Sequence, residues 1–304
     1  MSIATRPLGK TGVNVSMICI GGWHIGQPAI TDGESIRMLQ TALDDGITFF
    51  DNAWDYHWGR SEELMGKALA EGGRRQKVFL MTKNCGRDAE TSRQHLEDSL
   101  RRLRTDVIDL WQFHEINYDN DPEWILERGA LAFALQAQKE GKIRFIGYTG
   151  HKSPHILAKM LPLHDWDTCE LPINVCDRFY RSFETELLPE LLRRKIGPIG
   201  IKSLGGGNLE QGGVFVTNKV ATPEEAIRYS LSRPISSVVV GIDSMEVLQQ
   251  DVKIAREFKP LVGAELEAVL ARVKPVAGDG RFEYFKSMQS YDGPYHREQH
   301  GFAV

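Results

Sequence analysis

Four side chains in this sequence carry protons and charge that suit a single reaction: Asp51, Tyr56, Lys83 and His114. Asp51 and Tyr56 lie in FFDNAWDYHWG, residues 49–59, where two Phe run straight into an acid and a tyrosine follows five residues on. A free tyrosine keeps its proton to about pH 10 and is a weak acid near neutrality. A neighbouring ammonium such as Lys83 is expected to lower that value, and Asp51 to keep the lysine charged and oriented. His114 is then free to donate a second hydrogen bond to a substrate oxygen. Such a set protonates an alkoxide. No side chain donates hydride, so the carbon-bound hydrogen has to come from a nicotinamide cofactor. Taken singly, each residue has a plainer role as a helix cap, a solvated lysine or a core histidine; their joint placement carries the argument.

That placement rests on eight short apolar runs, at 16–22, 47–53, 77–84, 107–114, 143–150, 168–175, 198–204 and 236–243. They are apolar throughout rather than alternating, as parallel strands covered on both faces are. Amphipathic stretches separate them, with helix starts signalled at Thr31-Asp32, Asp121-Pro122-Glu123 and Thr222-Pro223-Glu224. Eight such units in about 250 residues predict a (β/α)8 TIM barrel, whose active site forms at the C-terminal strand ends. Asp51, Tyr56, Lys83 and His114 then share one mouth. A β-hairpin over residues 6–15 is expected to plug the barrel floor, with the barrel spanning about 16–257. In the tail, about 260–304, the pattern decays into Gly, Pro, aromatic and charged residues without a period. Phe282, Tyr284, Phe285, Tyr291 and Tyr295 suggest that it packs across the mouth. One domain over residues 1–304 is the simplest count.

A chain of 304 residues with 41% hydrophobic and 26% charged side chains buries a large core. Its net charge of −4, with no long basic cluster, argues against a nucleic-acid partner. No apolar run nears the ~18 residues that cross a bilayer, and MSIATRPLGKTG has no cleavable leader, so a cytoplasmic protein without a membrane partner is expected. Cys19, Cys85, Cys169 and Cys176 make no CxxC pair and read as reduced core thiols. HKSPH, 151–155, invites a metal reading, but Pro154 interrupts the helical spacing of its histidines and no third acidic ligand is near. No metal is expected.

Four segments, FFDNAWDYHWGRSEELMGKAL, VFLMTKN, LRRLRTDVIDLWQFH and GKIRFIGYTG, stand in the order and spacing of the aldo-keto reductases, and from RPLGKTG to about residue 257 the chain resembles that family. The resemblance implies a barrel that binds NAD(P)H without a Rossmann fold, Tyr56 as general acid/base, Lys83 and Asp51 tuning it, and His114 orienting the carbonyl. It implies reversible reduction of an aldehyde or ketone to an alcohol. Trp23, Trp54, Tyr56, Trp58 and His114, with His24 and His57 beside them, are expected to ring the substrate, and stacked aromatics with histidines suit a sugar or an aromatic aldehyde. A small-molecule carbonyl or alcohol is the expected partner, and the protein itself a monomer or small homo-oligomer.

For the cofactor, Gly22 and Trp23 follow the first strand. Family members place Ser-Asn after the fifth strand and Gln on the sixth to hold the carboxamide; here the positions read Thr149-Gly150 and Glu170, with His151 and Asn174 as alternative partners. KSLGGGNL, with Lys202, Ser203, Leu204 and Gly205, Gly206 and Gly207, takes the place of the pyrophosphate loop. At the adenosine end Gly241, Asp243, Ser244, Val247, Gln250 and Asp251 bring no cation before Lys253. An acid near the ribose favours a free 2′-hydroxyl and NADH, whereas family usage favours NADPH, and NADPH or dual use ranks ahead. Two other readings stay open: a lyase with Lys83 as Schiff-base nucleophile, and a non-enzymatic barrel that senses bound nicotinamide.

Overall fold

Each of the eight apolar runs coincides with one strand of a closed parallel barrel in the computed structural model, which describes residues 2–208 and 212–303. An antiparallel pair comes first, β1 (Thr5–Pro7) and β2 (Asn14–Ser16), with Arg6 opposite Val15. The barrel follows as β3 (Ile18–Gly21), β4 (Phe49–Asp51), β5 (Phe79–Asn84), β6 (Ile108–Phe113), β7 (Ile143–Thr149), β8 (Thr168–Pro172) and β9 (Gly197–Ile201). A two-residue ribbon, β10 (Gly207–Asn208) with β11 (Gly212–Gly213), lies in the loop after β9. β12 (Ser237–Gly241) then closes the ring by pairing with both β9 and β3. The expected runs are longer than the paired segments because backbone bonding continues past the ladders: Asn52 N donates to Met81 O and His114 N to Asn84 O. Those extra bonds carry β4 and β6 up to the mouth in register.

The barrel interior is filled by Cys19, Phe49, Phe79, Met81, Leu110 and Ile199, and it is completed from below by Leu8 and Val15 of the N-terminal pair. The hairpin thus plugs the floor. Gly9 makes the close approach possible: its φ of +52° puts it against Gly197, where an added Cβ would stand 2.3 Å from the Gly197 nitrogen. A larger cluster, with Phe50, Leu64, Trp111, Ile146, Trp166 and Leu248 among its members, lies between strands and outer helices.

Two of the signalled helix starts are complete capping boxes, Thr31 with Glu34 and Thr222 with Glu225. The third differs. Asp121 opens the helix Asp121–Glu127 without capping it, and its buried carboxylate takes bonds from Arg87 Nε at 2.8 Å and from the Asn117 and Tyr118 amides at 2.9 and 2.8 Å. The tail also departs from the aperiodic reading. Gly263–Ala277 is a regular helix that buries Val269, Val273 and Ala277, spaced by four, against Phe215, Tyr229 and Leu261. Beyond it come Tyr284–Ser287 and Pro294–Gln299, short helices laid over the barrel. Among the described residues no helix is long and apolar enough to cross a membrane. All four cysteines are free and buried.

Candidate active site

Asp51 closes β4, Lys83 is next to last in β5 and His114 follows β6, so three neighbouring strands deliver three of the expected residues to one end of the barrel. Tyr56 opens the tight turn Tyr56–Gly59 after β4. The Lys83 ammonium donates to the Asp51 carboxylate and, at 3.0 Å, to the Asn52 carbonyl. It stands 5.3 Å from the centre of the Tyr56 ring, and the His114 ring meets that ring edge-on at 5.5 Å. His114 Nδ1 is 3.1 Å from Asp55 Oδ1. The turn after Tyr56 is strained: His57, Trp58 and Gly59 are successively left-handed, at φ 51°, 59° and 89°. Arg102 clamps it by donating to the Trp54 carbonyl at 2.9 Å and to Glu62 at 3.2 Å.

The charges do not balance pairwise. Glu170 Oε1 lies 3.7 Å from Lys83 Nζ, while its other oxygen accepts from Gln112 Nε2 at 2.6 Å. Thr168 Oγ1 donates to Gln112 Oε1 at 3.0 Å and so orients that amide. Glu170, expected at the carboxamide, is therefore part of the charge network around the lysine. Burial alone would depress Lys83, but Asp51 and then Glu170 hold its ammonium well above the ordinary lysine range. Burial pushes Asp51 upward, with Lys83 opposing and Glu170 adding. Tyr56 also moves up: burial dominates, Lys83 offsets it only in part, and Asp51 and Glu170 add to the rise. This corrects the expectation that the lysine lowers the phenol below its usual value. A desolvated phenolate is harder to form than a lysine at one side can repay. The phenol is therefore fully protonated at neutral pH, the form that donates to an alkoxide.

The tail covers this end through buried polar contacts. Lys286 Nζ pairs with Asp177 at 2.7 Å and Glu283 at 2.9 Å, all three buried. Asp292 accepts from Tyr118 and from Asn117 Nδ2 at 3.2 Å, and pairs with Lys152 and with His151 Nε2 at 3.1 Å. Gly293 N donates to Glu115 at 3.0 Å, and His300 reaches Asp121 at 2.9 Å. Of the tail's own residues in these contacts, Glu283, Lys286, Asp292, Gly293 and His300, none was singled out in the sequence. The signal was the string of acids and histidines in SYDGPYHREQH, which reads as solvated until a barrel mouth is placed under it.

Burial, then the Asp292 and Asp55 carboxylates, push Glu115 up to about 8. The folded chain then keeps a proton that the unfolded chain releases near 4.5, so the contribution of Glu115 to stability falls as pH rises between those values and is flat outside them. Glu115→Gln is expected to remove that slope from the variant's own curve, so that the Tm difference between variant and parent changes between about pH 5 and about pH 9, measured by calorimetry. Parallel curves would mean that Glu115 is ionised in the folded state.

The residues expected at the cofactor form an arc on the adjacent strands β7, β8, β9, β12 and β3. Thr149 ends β7 and Gly150 follows it; Gly22 and Trp23 follow β3; Gly241 ends β12. Lys202, Ser203, Leu204 and Gly206 lie in the loop after β9, where Gly206, at φ +77°, leaves no room for a Cβ beside the Tyr291 hydroxyl. Lys202 Nζ bonds that hydroxyl at 3.2 Å. Ser244 caps the helix Met245–Arg256 by accepting from Val247 N, and Gln250 lies exposed on that helix. Asp251 is turned inward and buried, and burial, followed by Asp243, raises it to about 7. Asn174 is committed to the Cys176 and Asp177 amides and to Glu283, and His151 to Asn117 and Asp292. The histidines of HKSPH are parted, for His155 is exposed beside Glu186 at 3.2 Å.

The aromatic ring divides in two. Trp54 stacks on His95 at 3.6 Å and bonds Asp98 through its indole N–H at 3.2 Å, so it is packed beneath Tyr295 of the tail and not presented to a ligand. Trp23 lies against His24 and His57, at 5.0 and 5.3 Å. Trp58 is 90% exposed, outside the buried mouth.

Comparison with known proteins finds a match to the family model described as "Aldo/keto reductase family" over residues 17–219. The chain is 27% identical to L-galactose dehydrogenase of Arabidopsis thaliana, covering 90% of this chain and 96% of that protein. It is 30% identical to 6-dehydroglucose reductase of Novosphingobium aromaticivorans over 68% of this chain and 70% of that one. Among solved structures the fold is similar to the holo form of aldo-keto reductase AKR11C1 from Bacillus halodurans, with a TM-score of 0.73 at 23% identity, over 92% of this chain and 99% of that one.

Proposed function

The chain belongs to the aldo/keto reductase family, which makes it an NAD(P)-dependent oxidoreductase, and on that footing we propose that it reduces the carbonyl of a sugar or sugar-derived aldehyde or ketone with Tyr56 as proton donor. The observation that carries this reading is the convergence of Tyr56 with the Lys83–Asp51 pair and His114 at the ends of β4, β5 and β6. Bound NAD(P)H supplies the hydride. The chain's own residues do the rest. His114 holds the carbonyl oxygen beside the phenol, Tyr56 gives its proton to the oxygen as negative charge develops there, and the Lys83 ammonium stabilises the phenolate that remains. Asp51, Glu170 and Asn52 keep that ammonium in place. The tail excludes water from the reacting atoms.

Lys202, Ser203 and the Gly205–Gly207 run suit the pyrophosphate, a cation and a hydroxyl beside glycine amides just past a strand end. Asp251, one of the two acids at the adenosine end, faces the core and so does not meet a ribose, whereas Asp243 is half-buried after β12. That leaves NADPH ahead of NADH. The substrate class is supported by the two sugar-active relatives. A firmly protonated Lys83 is unsuited to Schiff-base chemistry, which needs the free amine. The test is cofactor titration followed by turnover of a panel of aldoses, ketoses and their oxidised derivatives with each cofactor. Reduction of at least one sugar carbonyl, with a higher kcat/KM for NADPH, is expected; a covalent adduct on Lys83 after borohydride trapping, without nicotinamide oxidation, would overturn the reading.

A further inference from the structure

His296, in the tail helix Pro294–Gln299, is fully buried, and neither of its ring nitrogens has a hydrogen-bond partner among the described residues. An imidazole buried without a partner is an unusual arrangement that calls for one. Three other ligand-type side chains surround it. One ligand atom from each of Asp55, Cys85, His114 and His296 lies within 4.8 Å of all the others. His114 Nδ1 is 3.1 Å from Asp55 Oδ1 and 3.6 Å from Cys85 Sγ. In a tetrahedral zinc site, with bonds of about 2.0–2.3 Å, ligand atoms stand about 3.3–3.7 Å apart. The Cys85–His114 contact already has that spacing, the Asp55–His114 contact is about 0.2 Å short of it, and the widest separation permitted here has to shrink by only about 1 Å.

We propose that Asp55, Cys85, His114 and His296 form a binding site for a zinc-class divalent cation. Two nitrogens, one sulfur and one carboxylate oxygen suit zinc or cobalt rather than magnesium or calcium. On binding, the Cys85 S–H bond breaks, a sulfur–metal bond forms and the proton leaves to solvent; thiolate and Asp55 carboxylate then offset the two positive charges. The neighbouring group of Glu115, His151 and Asp292 is as compact, but Tyr118, Asn117, Lys152 and Gly293 already use its oxygens. His296 is what distinguishes the first set. The four ligands come from the loop after β4, the loop after β5, the loop after β6 and the tail, so the cation ties the tail to the barrel mouth. Bound through Nδ1, His114 keeps its Nε2–H, so the cation fixes the ring placed above at the substrate carbonyl.

The full-length chain, stripped with chelator, is titrated with cobalt(II) chloride under reducing conditions and followed by absorbance, with zinc(II) as competitor and magnesium(II) as control. One cobalt per chain is expected, with visible bands of a tetrahedral site, a near-ultraviolet thiolate band and displacement by zinc but not magnesium. Cys85→Ser should lose the thiolate band, and His296→Ala should weaken binding by at least the roughly 10–100-fold that even outer partners of a metal ligand contribute. Circular dichroism checks that each variant is folded, and Asp55→Asn replaces either one that is not. Absence of saturable binding by the parent chain, or spectra and affinities unchanged in the variants, would overturn the proposal.

Discussion

Tyr56→Phe is expected to lower kcat for carbonyl reduction by about 10²–10⁴-fold, the usual worth of a general acid, with nicotinamide affinity within a few-fold of the parent. The phenylalanine ring refills the space between Lys83 and His114, which contact the tyrosine ring at 5.3 and 5.5 Å, so only the hydroxyl is lost. The effect belongs in kcat because the alkoxide needs its proton only as hydride transfer proceeds. Stopped-flow turnover with fluorescence titration of the cofactor separates the two quantities. Full activity in the variant would remove Tyr56 from the chemistry and leave His114 as the donor to examine.

Lys83→Met is expected to cost both activity and stability. With the ammonium gone, Asp51 and Glu170 are left buried, at 2% exposure each, without the cation that both face. Removing one partner of a buried ion pair typically costs about 3–5 kcal/mol, because the remaining charge is neither solvated nor paired. Adding Glu170→Gln removes one of the two stranded acids, so Lys83→Met/Glu170→Gln should recover part of the lost stability in urea unfolding. It should recover no turnover, since the phenolate formed by Tyr56 still has no ammonium beside it. A single variant as stable as the parent would mean that neither acid is ionised; a double variant that regained activity would mean that Lys83 acts only as a structural counter-ion.

The sequence by itself determined the barrel and the meeting of the proposed quartet at one end of it. Eight apolar runs of strand length, separated by amphipathic stretches, admit few other folds, and strand position then dictates which side chains reach the C-terminal rim. Asp51, Lys83 and His114 stand at or next to the ends of β4, β5 and β6 for that reason, and Tyr56 is carried along in the turn after the first of them. The hairpin was legible from Gly9 and Gly12 for the same kind of local reason. The helix Gly263–Ala277 was within reach too, through Val269, Val273 and Ala277, but Pro275 and the glycine-rich stretch after it masked the period. What only the tertiary structure decided is which charges and rings share a volume. Glu170 turned to Lys83, Trp54 packed on His95, and Asp251 folded inward although Gln249 and Gln250 just before it face solvent. The tail set His296 against His114, 182 positions away along the chain, at a ring distance of 5.2 Å. The direction of the Tyr56 shift depended on the same thing. Local periodicity fixes where a side chain points along its own strand or helix, whereas desolvation and charge pairing depend on every neighbour brought close at once, from segments whose spacing in sequence carries no record of the meeting.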